Sequence, residues 1–350
     1  MRRHVLLARL DSAGDVLLAG PAVRAVAHQA RRVTLLCGRR GRAAAELLPG
    51  VDEIVEHTAP WIDPEPDPLD ADATLALVAD LARRRIDQAI VLTSFHQSPL
   101  PLALLLRMAG VPEVAAICED YPGSLLDVRH RVDGDPHEVQ RSLSLVGAVG
   151  YRLPADDDGS LAVRDEALRR PNPAGAGPYV VVHPGASVPA RAWPPEGHAA
   201  VVQALTHQGR KVVVTGGPGE QSLTARVAGA AAARSDVTDL GGATDLATLA
   251  VVLAGAAVVV VGNTGPAHLA AAVGTPVVSL FAPTVPAARW RPWAVPSRLL
   301  GHQDIGCAGC RARACPIPGH PCLGTVAAAD VVTAVDDLAP RRRPVCTRAS

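Results

Sequence analysis

The chain has 350 residues with 34 basic and 34 acidic side chains, and 48% of its residues are hydrophobic. This composition excludes intrinsic disorder and is typical of a globular protein long enough for two domains. The formal net charge of zero and an aromatic content of 3% argue against nucleic-acid binding, which relies on a basic surface and on stacking rings. A small-molecule ligand is therefore the better expectation.

The N-terminal stretch MRRHVLLARLDSAGD begins with two arginines and an apolar run, as a secretory signal peptide does. Arg9 and Asp11 interrupt that run too early for a signal-peptide core. No window approaches 18 uninterrupted apolar residues, so we expect no transmembrane segment. The expected location is the cytoplasm, where the seven cysteines would be thiols or metal ligands before they are disulfides.

Short apolar runs, each followed by a small-residue turn and an amphipathic stretch, recur along the chain and are typical of βαβ units. Strands are predicted at residues 4–10, 32–36, 53–56, 88–93 and 114–117, and again at 179–183, 211–215, 237–240, 257–261 and 277–280. Helices are predicted at 15–30, 69–85, 195–208, 220–233, 246–255 and 266–273. Uninterrupted apolar strands such as VVVV indicate parallel sheets covered on both faces.

The stretches PADDDGS and RRPNPAGAGP separate the two series of strands, and their proline and glycine content predicts a linker at residues 166–178. The expected fold class is α/β, with Rossmann-like, doubly wound parallel-sheet domains at 1–165 and 179–338 facing a central cleft. Ligands of such sheets bind at the carboxyl ends of the strands. Residues 339–350 are predicted to form a disordered basic tail, which leaves peripheral contact with an anionic membrane surface open.

The loop after the first predicted strand reads LDSAGDVLL. Ser12, Ala13 and Gly14 permit a tight turn, after which Asp15 would open a helix with its carboxylate directed into the cleft. The alternative is that Asp15, or Asp11, is only a helix N-cap. The G-x-G-x-x-G pattern of dinucleotide-binding domains is absent from this loop, which argues against a nicotinamide enzyme.

Two loops of the second half carry residues suited to a nucleoside diphosphate. In HPGASVPARAWPP, Arg191 precedes a predicted helix, and its guanidinium can hold two phosphate oxygens, although a solvated surface arginine is the alternative. In TGGPGE, the small Gly217 lets a base or ribose approach closely. Glu220 can accept hydrogen bonds from ribose hydroxyls, or it is favoured there only by the helix dipole.

The third loop of the second half, GNTGPAHLAAAVG, turns from an apolar strand into an alanine-rich helix. Asn263 tolerates turn angles, Gly265 has no Cβ, and Pro266 suits the first helical position. Free N–H groups between Thr264 and His268, at the positive end of a helix dipole, would bind an anion such as phosphate. A plain turn before a buried helix with a structural histidine is the alternative.

Taken together, GDV after the first strand, HPGASVPARAWP, TGGPGE and GNTGPAHLAAAVGTPVVSLFAPT resemble glycosyltransferase family 9, the heptosyltransferase-like proteins, over about residues 5–335. The resemblance implies a GT-B fold that binds a glycan, glycolipid or glycoside acceptor in the N-terminal domain. It implies an ADP-linked sugar donor, heptose or a related sugar, in the C-terminal domain. Transfer would be inverting and independent of metal, and no cofactor is implied.

The resemblance also implies roles for individual residues. Asp15 matches the general base, and Arg191 matches a position, usually lysine, that holds the donor phosphates. Glu220 matches a carboxylate near the donor ribose, and Asn263 stands where the family commonly has an aspartate near the donor sugar. The phosphate-binding turn is matched by Thr264, Gly265 and His268.

Near the end, GCAGCRARACPIPGHPCLG contains Cys307, Cys310, Cys315 and Cys322. Their spacing matches no standard zinc module, so thiols or a disulfide are expected before a bound metal, which would be a structural clip. Two alternatives to a transferase stay open from the sequence. One is a nucleotide-sugar-binding protein without transfer activity, and the other is a nucleotide-sugar epimerase of the same architecture.

Overall fold

The computed structural model describes residues 2–231 and 235–340, so the predicted basic tail lies outside the described residues from position 341 onward. The described part of the chain contains two six-stranded sheets. The first sheet contains β1 (His4–Arg9), β2 (Arg32–Cys37), β3 (Glu53–Glu56), β4 (Gln88–Val91), β5 (Val114–Ile117) and β6 (Val128–His130). The second contains β7 (Tyr179–His183), β8 (Lys211–Gly216), β9 (Val237–Gly241), β10 (Ala256–Gly262), β11 (Val277–Leu280) and β12 (Ser297–Leu300).

Helices connect the strands of each sheet. Those of the first half are α1 (Ala13–Leu18), α2 (Gly20–Ala27), α3 (Arg42–Leu47), α4 (Ala71–Arg84), α5 (Leu100–Met108) and α6 (Glu138–Ala148). Those of the second half are α7 (Pro195–His207), α8 (Gln221–Gly229), α9 (Leu246–Ala254), α10 (Gly265–Ala272), α11 (Ala287–Trp290), α12 (Pro321–Gly324) and α13 (Ala328–Leu338). Turns of 3₁₀ helix occur at Arg39–Gly41, Asp165–Arg169 and Pro189–Arg191.

Both sheets have the same strand order, β3-β2-β1-β4-β5-β6 and β9-β8-β7-β10-β11-β12, and all their strand pairs are parallel. The central strands β1 and β7 are buried along their whole length because crossover helices cover both faces. The predicted fold class is therefore confirmed. In this order the chain changes direction between β1 and β4 and between β7 and β10, where doubly wound sheets open a crevice.

The ten predicted strands are present within two residues at each end, but β6 and β12 were not predicted. These two strands have three and four residues and are largely half-buried, so their sequences lack a continuous apolar run. The single helix predicted at 15–30 is wrong, since the chain forms α1 and α2 there. Pro21, in the first turn of α2, has no N–H to continue the preceding helix.

The chain passes from the surroundings of the first sheet to those of the second close to residue 165. Arg164 still donates a hydrogen bond to the carbonyl of Leu48, at 2.9 Å. The 3₁₀ turn Asp165–Arg169 already packs against α9. Among the described residues, no helix is long and apolar enough to cross a membrane.

Candidate functional site

A cavity of about 260 Å³ lies between the carboxyl ends of the two sheets. Loops that follow β1 and β4 line it from the first domain, and loops that follow β7 and β10 line it from the second. These four strands flank the two crevices that the strand order creates. The structure brings six of the predicted site residues together here: Asp15, Arg191, Asn263, Thr264, Gly265 and His268.

Asp15 lies in the first turn of α1, and its carboxylate is held by three donors. Ser12 Oγ donates to Oδ2 at 2.8 Å, while Arg9 Nη2 and Trp290 Nε1 donate to Oδ1 at 3.1 and 3.4 Å. Burial opposes ionisation, but the ion pair with Arg9 and the hydrogen bond from Ser12 outweigh it and hold the pKa of this carboxyl below its usual range. Ser12 is the N-cap of α1, so Asp15 is not a helix cap.

The first turns of α1 and α10 pack against each other across the domain boundary. A Cβ placed on Gly14 would lie 2.9 Å from His268 Cδ2 and 3.3 Å from the Cα of Gly265. Only a glycine allows this approach without displacement of the opposite wall. The two helix N-termini, both electropositive, therefore converge on the same cavity.

Arg191 lies on the 3₁₀ turn after β7 and is half-buried. Its Nε donates to Thr284 Oγ1 at 3.2 Å, and no carboxylate among the described residues forms an ion pair with it. A partly desolvated guanidinium with uncommitted N–H groups is suited to bind a bidentate anion.

Two buried polar atoms on the second-domain wall have no hydrogen-bond partner within the described part of the chain. They are Nδ2 of Asn263 and Nδ1 of His268, whose residues are 5% and 4% exposed. Burial lowers the pKa of His268 to about 4, so its ring is neutral at pH 7. A buried polar atom without a hydrogen-bond partner is costly unless a ligand satisfies it. This wall is therefore suited to bind a polar ligand.

Glu220 and Gly217 do not line this cavity. Glu220 is the N-cap residue of α8, and its Oε2 accepts a 2.6 Å hydrogen bond from the N–H of Gly217. A Cβ on Gly185, in the loop after β7, would lie within 2.5 Å of the Glu220 carboxyl group. This pair therefore stabilises the turn after β8, beside the loop that leads to Arg191.

The cavity also contains residues that were not predicted. Ser94, His96 and Gln97 follow β4, and the switch-point rule for doubly wound sheets could have indicated that loop. Exposed Arg39 and Arg40 come from the 3₁₀ turn after β2.

Trp290 was not predicted either, and it reaches the cavity from the second domain. His137 anchors the neighbouring residues, since its Nε2 lies 2.9 Å from the carbonyl oxygen of Arg291 and its ring stacks on Trp293 at 4.5 Å between centroids. Nothing local in the sequence indicates that this segment reaches Asp15.

The four cysteines of the cluster at residues 307–322 are free thiols, of which Cys322 is buried and Cys310 is exposed. Burial and the neighbouring cysteines raise the pKa of the Cys322 thiol. Within residues 2–231 and 235–340, no group of three or more histidine, cysteine or acidic side chains has an arrangement that could hold a metal ion. The metal site weighed for Cys307, Cys310, Cys315 and Cys322 therefore has no support in this geometry.

Comparison with known proteins gives a family match over most of the chain. The model of glycosyltransferase family 9 (heptosyltransferase) matches residues 74–320. Lipopolysaccharide heptosyltransferase 3 of Escherichia coli is 32% identical over 166 residues, which cover 46% of this chain and 47% of that protein. The chain thus spans about half the length of this curated relative.

Solved structures of Escherichia coli proteins resemble the whole fold. ADP-heptose lps heptosyltransferase II superposes with a TM-score of 0.75 at 20% identity, over 97% of this chain and 98% of the other. Heptosyltransferase WaaC with ADP-2-deoxy-2-fluoro heptose superposes with a TM-score of 0.71 at 21% identity, over 95% of this chain and 99% of the other. At these identities the likeness shows the fold, which is GT-B.

Proposed function

Because the chain belongs to glycosyltransferase family 9, we propose that it transfers a sugar from a nucleotide-diphosphate donor to a hydroxyl group of a glycan, glycolipid or glycoside. The observation that carries this proposal is the shared cavity, which is lined by Asp15 of one domain and by the turn from Asn263 to His268 of the other. The acceptor is assigned to the first domain and the donor to the second. The solved WaaC structure with an ADP-heptose analogue supports heptose, or a related sugar, linked to ADP.

In this proposal Asp15 is the general base. Its carboxylate takes the proton of the acceptor hydroxyl while the hydroxyl oxygen attacks the anomeric carbon and the bond from that carbon to the diphosphate breaks. Attack from the side opposite the leaving group inverts the anomeric centre. The role needs an ionised carboxylate at neutral pH, which the lowered pKa of Asp15 provides, while the same shift makes it a weaker base than a carboxyl group that titrates near pH 7.

The leaving diphosphate is assigned to Arg191 and to the N-terminus of α10. The guanidinium, the helix dipole and the ring of His268 offer fixed donors where negative charge develops. These groups support departure of the diphosphate without a divalent metal, so chelation with EDTA should leave the transfer rate unchanged. Oε1 of Glu220, which accepts no hydrogen bond from the described residues, is assigned to the donor ribose.

Asn263 is assigned to the donor sugar. Its unpartnered Nδ2 can donate to a sugar hydroxyl, whereas the aspartate common at this family position can only accept. This difference supports a donor sugar whose hydroxyl at that point accepts a hydrogen bond, and it is the reason to include sugars related to heptose in the test.

The test is a calorimetric screen of ADP-heptose and of other ADP-, GDP-, UDP- and dTDP-sugars, followed by transfer assays with the preferred donor. Asp15→Asn should bind that donor normally and lose about 10²- to 10⁴-fold in turnover, the usual contribution of a general base. The matched control, Asp11→Asn, removes a carboxylate of the same loop, and its turnover should fall less than that of Asp15→Asn.

Three outcomes would count against the proposal in different ways. Intact turnover in Asp15→Asn would remove the assigned base. Donor binding without transfer to any acceptor would favour a nucleotide-sugar-binding protein, and conversion of the donor sugar without transfer would favour an epimerase. Binding of no nucleotide sugar at all would contradict the whole proposal.

A further inference from the structure

Arg9 is the last residue of β1 and lies directly beneath the loop that carries Asp15. Its side chain is 1% exposed. Nη2 donates to Asp15 at 3.1 Å and to Ser94 Oγ at 2.9 Å, while Nε lies 2.8 Å from Asp11 Oδ2. A guanidinium can hold several acceptors at once, because its N–H donors point in different directions from one rigid, planar group.

Glu138 completes the surroundings of Arg9 from the opposite side. It is the first residue of α6, is 1% exposed, and accepts hydrogen bonds from Nη1 and Nη2 of Arg9 at 3.4 Å. Its Oε1 has no hydrogen-bond partner in the described part of the chain, and Arg141 lies 3.9 Å away. Two arginines therefore face three carboxylates in a largely buried site, in which Asp15, with a side chain 20% exposed, is the most accessible of the five. Removal of one charge in such a site changes the balance strongly.

We infer that Arg9 is a positioning residue for the proposed reaction, which holds Asp15 as a carboxylate directed into the cavity, and that Glu138 fixes Arg9 in that orientation. The inference rests on the proposed function for the role of Asp15 but not for its geometry. Burial and mutual repulsion would otherwise favour a proton on one of the two loop carboxylates.

Several titratable or charged groups face Asp15 besides Arg9, and each contributes to its titration. They are Asp11 from the same loop, His96 from the loop after β4, Glu138 from α6, and Arg191 and His268 from the second domain. The test must therefore change Arg9 while these groups stay in place.

The quantity measured is the titration midpoint of the Asp15 carboxyl group. It is observed by ¹³C NMR of protein labelled at the aspartate side-chain carboxyl groups, and Asp15→Asn assigns the signal. Arg9→Met should raise the midpoint by about one to three pH units, the usual effect of an adjacent opposite charge. Arg24→Met is the matched control, because it breaks the remote ion pair between Arg24 and Asp157 and should leave the midpoint unchanged.

Loss of Arg9 leaves buried carboxylates unpaired, so Arg9→Met can fail to fold. Asp11→Asn/Arg9→Gln then replaces it, since this double variant carries one carboxylate fewer and keeps an amide donor. Its Asp15 midpoint should lie above that of Asp11→Asn alone, and equal midpoints would overturn the inference.

The result also separates the inference from the proposed function, because the titration needs neither donor nor acceptor. A raised midpoint supports the inference even where no sugar transfer is found. If the midpoint rises and the acid limb of the kcat/KM profile moves with it, both are supported. An unmoved midpoint in a folded Arg9 variant that still transfers sugar overturns the inference alone.

Discussion

The two walls of the cavity differ in how far the protein satisfies its own polar groups. On the first-domain wall the Asp15 carboxylate is held by three donors, and the Arg9 guanidinium beneath it is surrounded by carboxylates. On the second-domain wall, Asn263 and His268 each have a buried nitrogen without a hydrogen-bond partner among the described residues. Arg191 donates to Thr284 and forms no ion pair with a carboxylate in the same part of the chain. The Asp15 carboxylate thus has its donors without a ligand, although Nε of Arg9 and Oε1 of Glu138 beneath it have no hydrogen-bond partner among the described residues. The unpartnered nitrogens of the second-domain wall belong to residues that line the cavity, where a ligand can reach them.

This difference indicates how each wall responds to substitution. A change on the first-domain wall breaks a network within the protein, so it should alter the charge or orientation of Asp15 and the rate of the chemical step. A change on the second-domain wall removes N–H groups that the described residues leave largely unused, apart from the hydrogen bond of Arg191 Nε to Thr284, so it should weaken donor binding more than it lowers stability. Contacts that join the walls should affect both properties.

Gly14→Ala should have the largest effect of the predictions below, because Gly14 is where the two walls touch. The added methyl group would meet His268 and the backbone of Gly265 and force the domains apart. Displacement of reacting groups by about 1 Å can cost about 100-fold in rate, and we expect a loss of kcat/KM of that order. Gly14 has no positive φ, so the first domain itself should fold normally.

The matched control is Gly229→Ala in α8, where a Cβ would meet no atom of the described residues within 4 Å. It should keep full turnover, since it changes a helical glycine away from the domain contact. Small-angle scattering of both variants with bound donor should show a more open shape for Gly14→Ala alone. A compact Gly14→Ala protein with normal kinetics would show that the walls need not approach so closely.

Arg191→Met tests the second-domain wall by itself. Loss of a charge-assisted contact should weaken binding of the diphosphate by about 10- to 100-fold, while the melting temperature of the free protein stays near that of the unaltered chain. Arg191→Lys should lose less affinity for the diphosphate than Arg191→Met, because lysine keeps the positive charge although it lacks the planar fork of the guanidinium. Calorimetric titration with ADP measures all three affinities, and equal values would remove Arg191 from the donor site.

The same contrast explains how much could be predicted from the sequence. Asp15 and the turn from Asn263 to His268 each follow a long apolar strand, and the strand order brings the ends of β1 and β10 to one cleft. The contact of Trp290 with Asp15 spans 275 positions and depends on how the domains pack, which no local pattern encodes. Glu220 was predicted in the first turn of a helix that follows a strand, and the structure makes it the N-cap of that helix, α8, outside the cavity lining, which depends on how the loops of the second domain pack.

The smallest predicted effect concerns His268 and the pH dependence of donor binding. Burial lowers the pKa of the free protein's His268 to about 4, whereas a diphosphate beside the ring would favour its protonated form and raise that pKa. The complex then binds more protons than the free protein, so donor affinity should increase as pH falls from 7 towards 5, by about three- to tenfold. Stability moves the opposite way. The unfolded histidine, with a pKa of about 6.5, protonates before the folded one, and the free energy of unfolding decreases over the same interval.

Calorimetry of donor binding at pH 5.5, in two buffers with different ionisation enthalpies, measures the proton uptake directly. His268→Gln should abolish that uptake and flatten the pH dependence of affinity, because glutamine keeps a hydrogen-bond donor but does not titrate in this range. His207→Gln, on the exposed side of α7, is the matched control and should retain the uptake. Unchanged uptake in His268→Gln would mean that another group faces the diphosphate. The His268 side chain would then contribute to the packing of α10 against α1 and would not bind the nucleotide sugar.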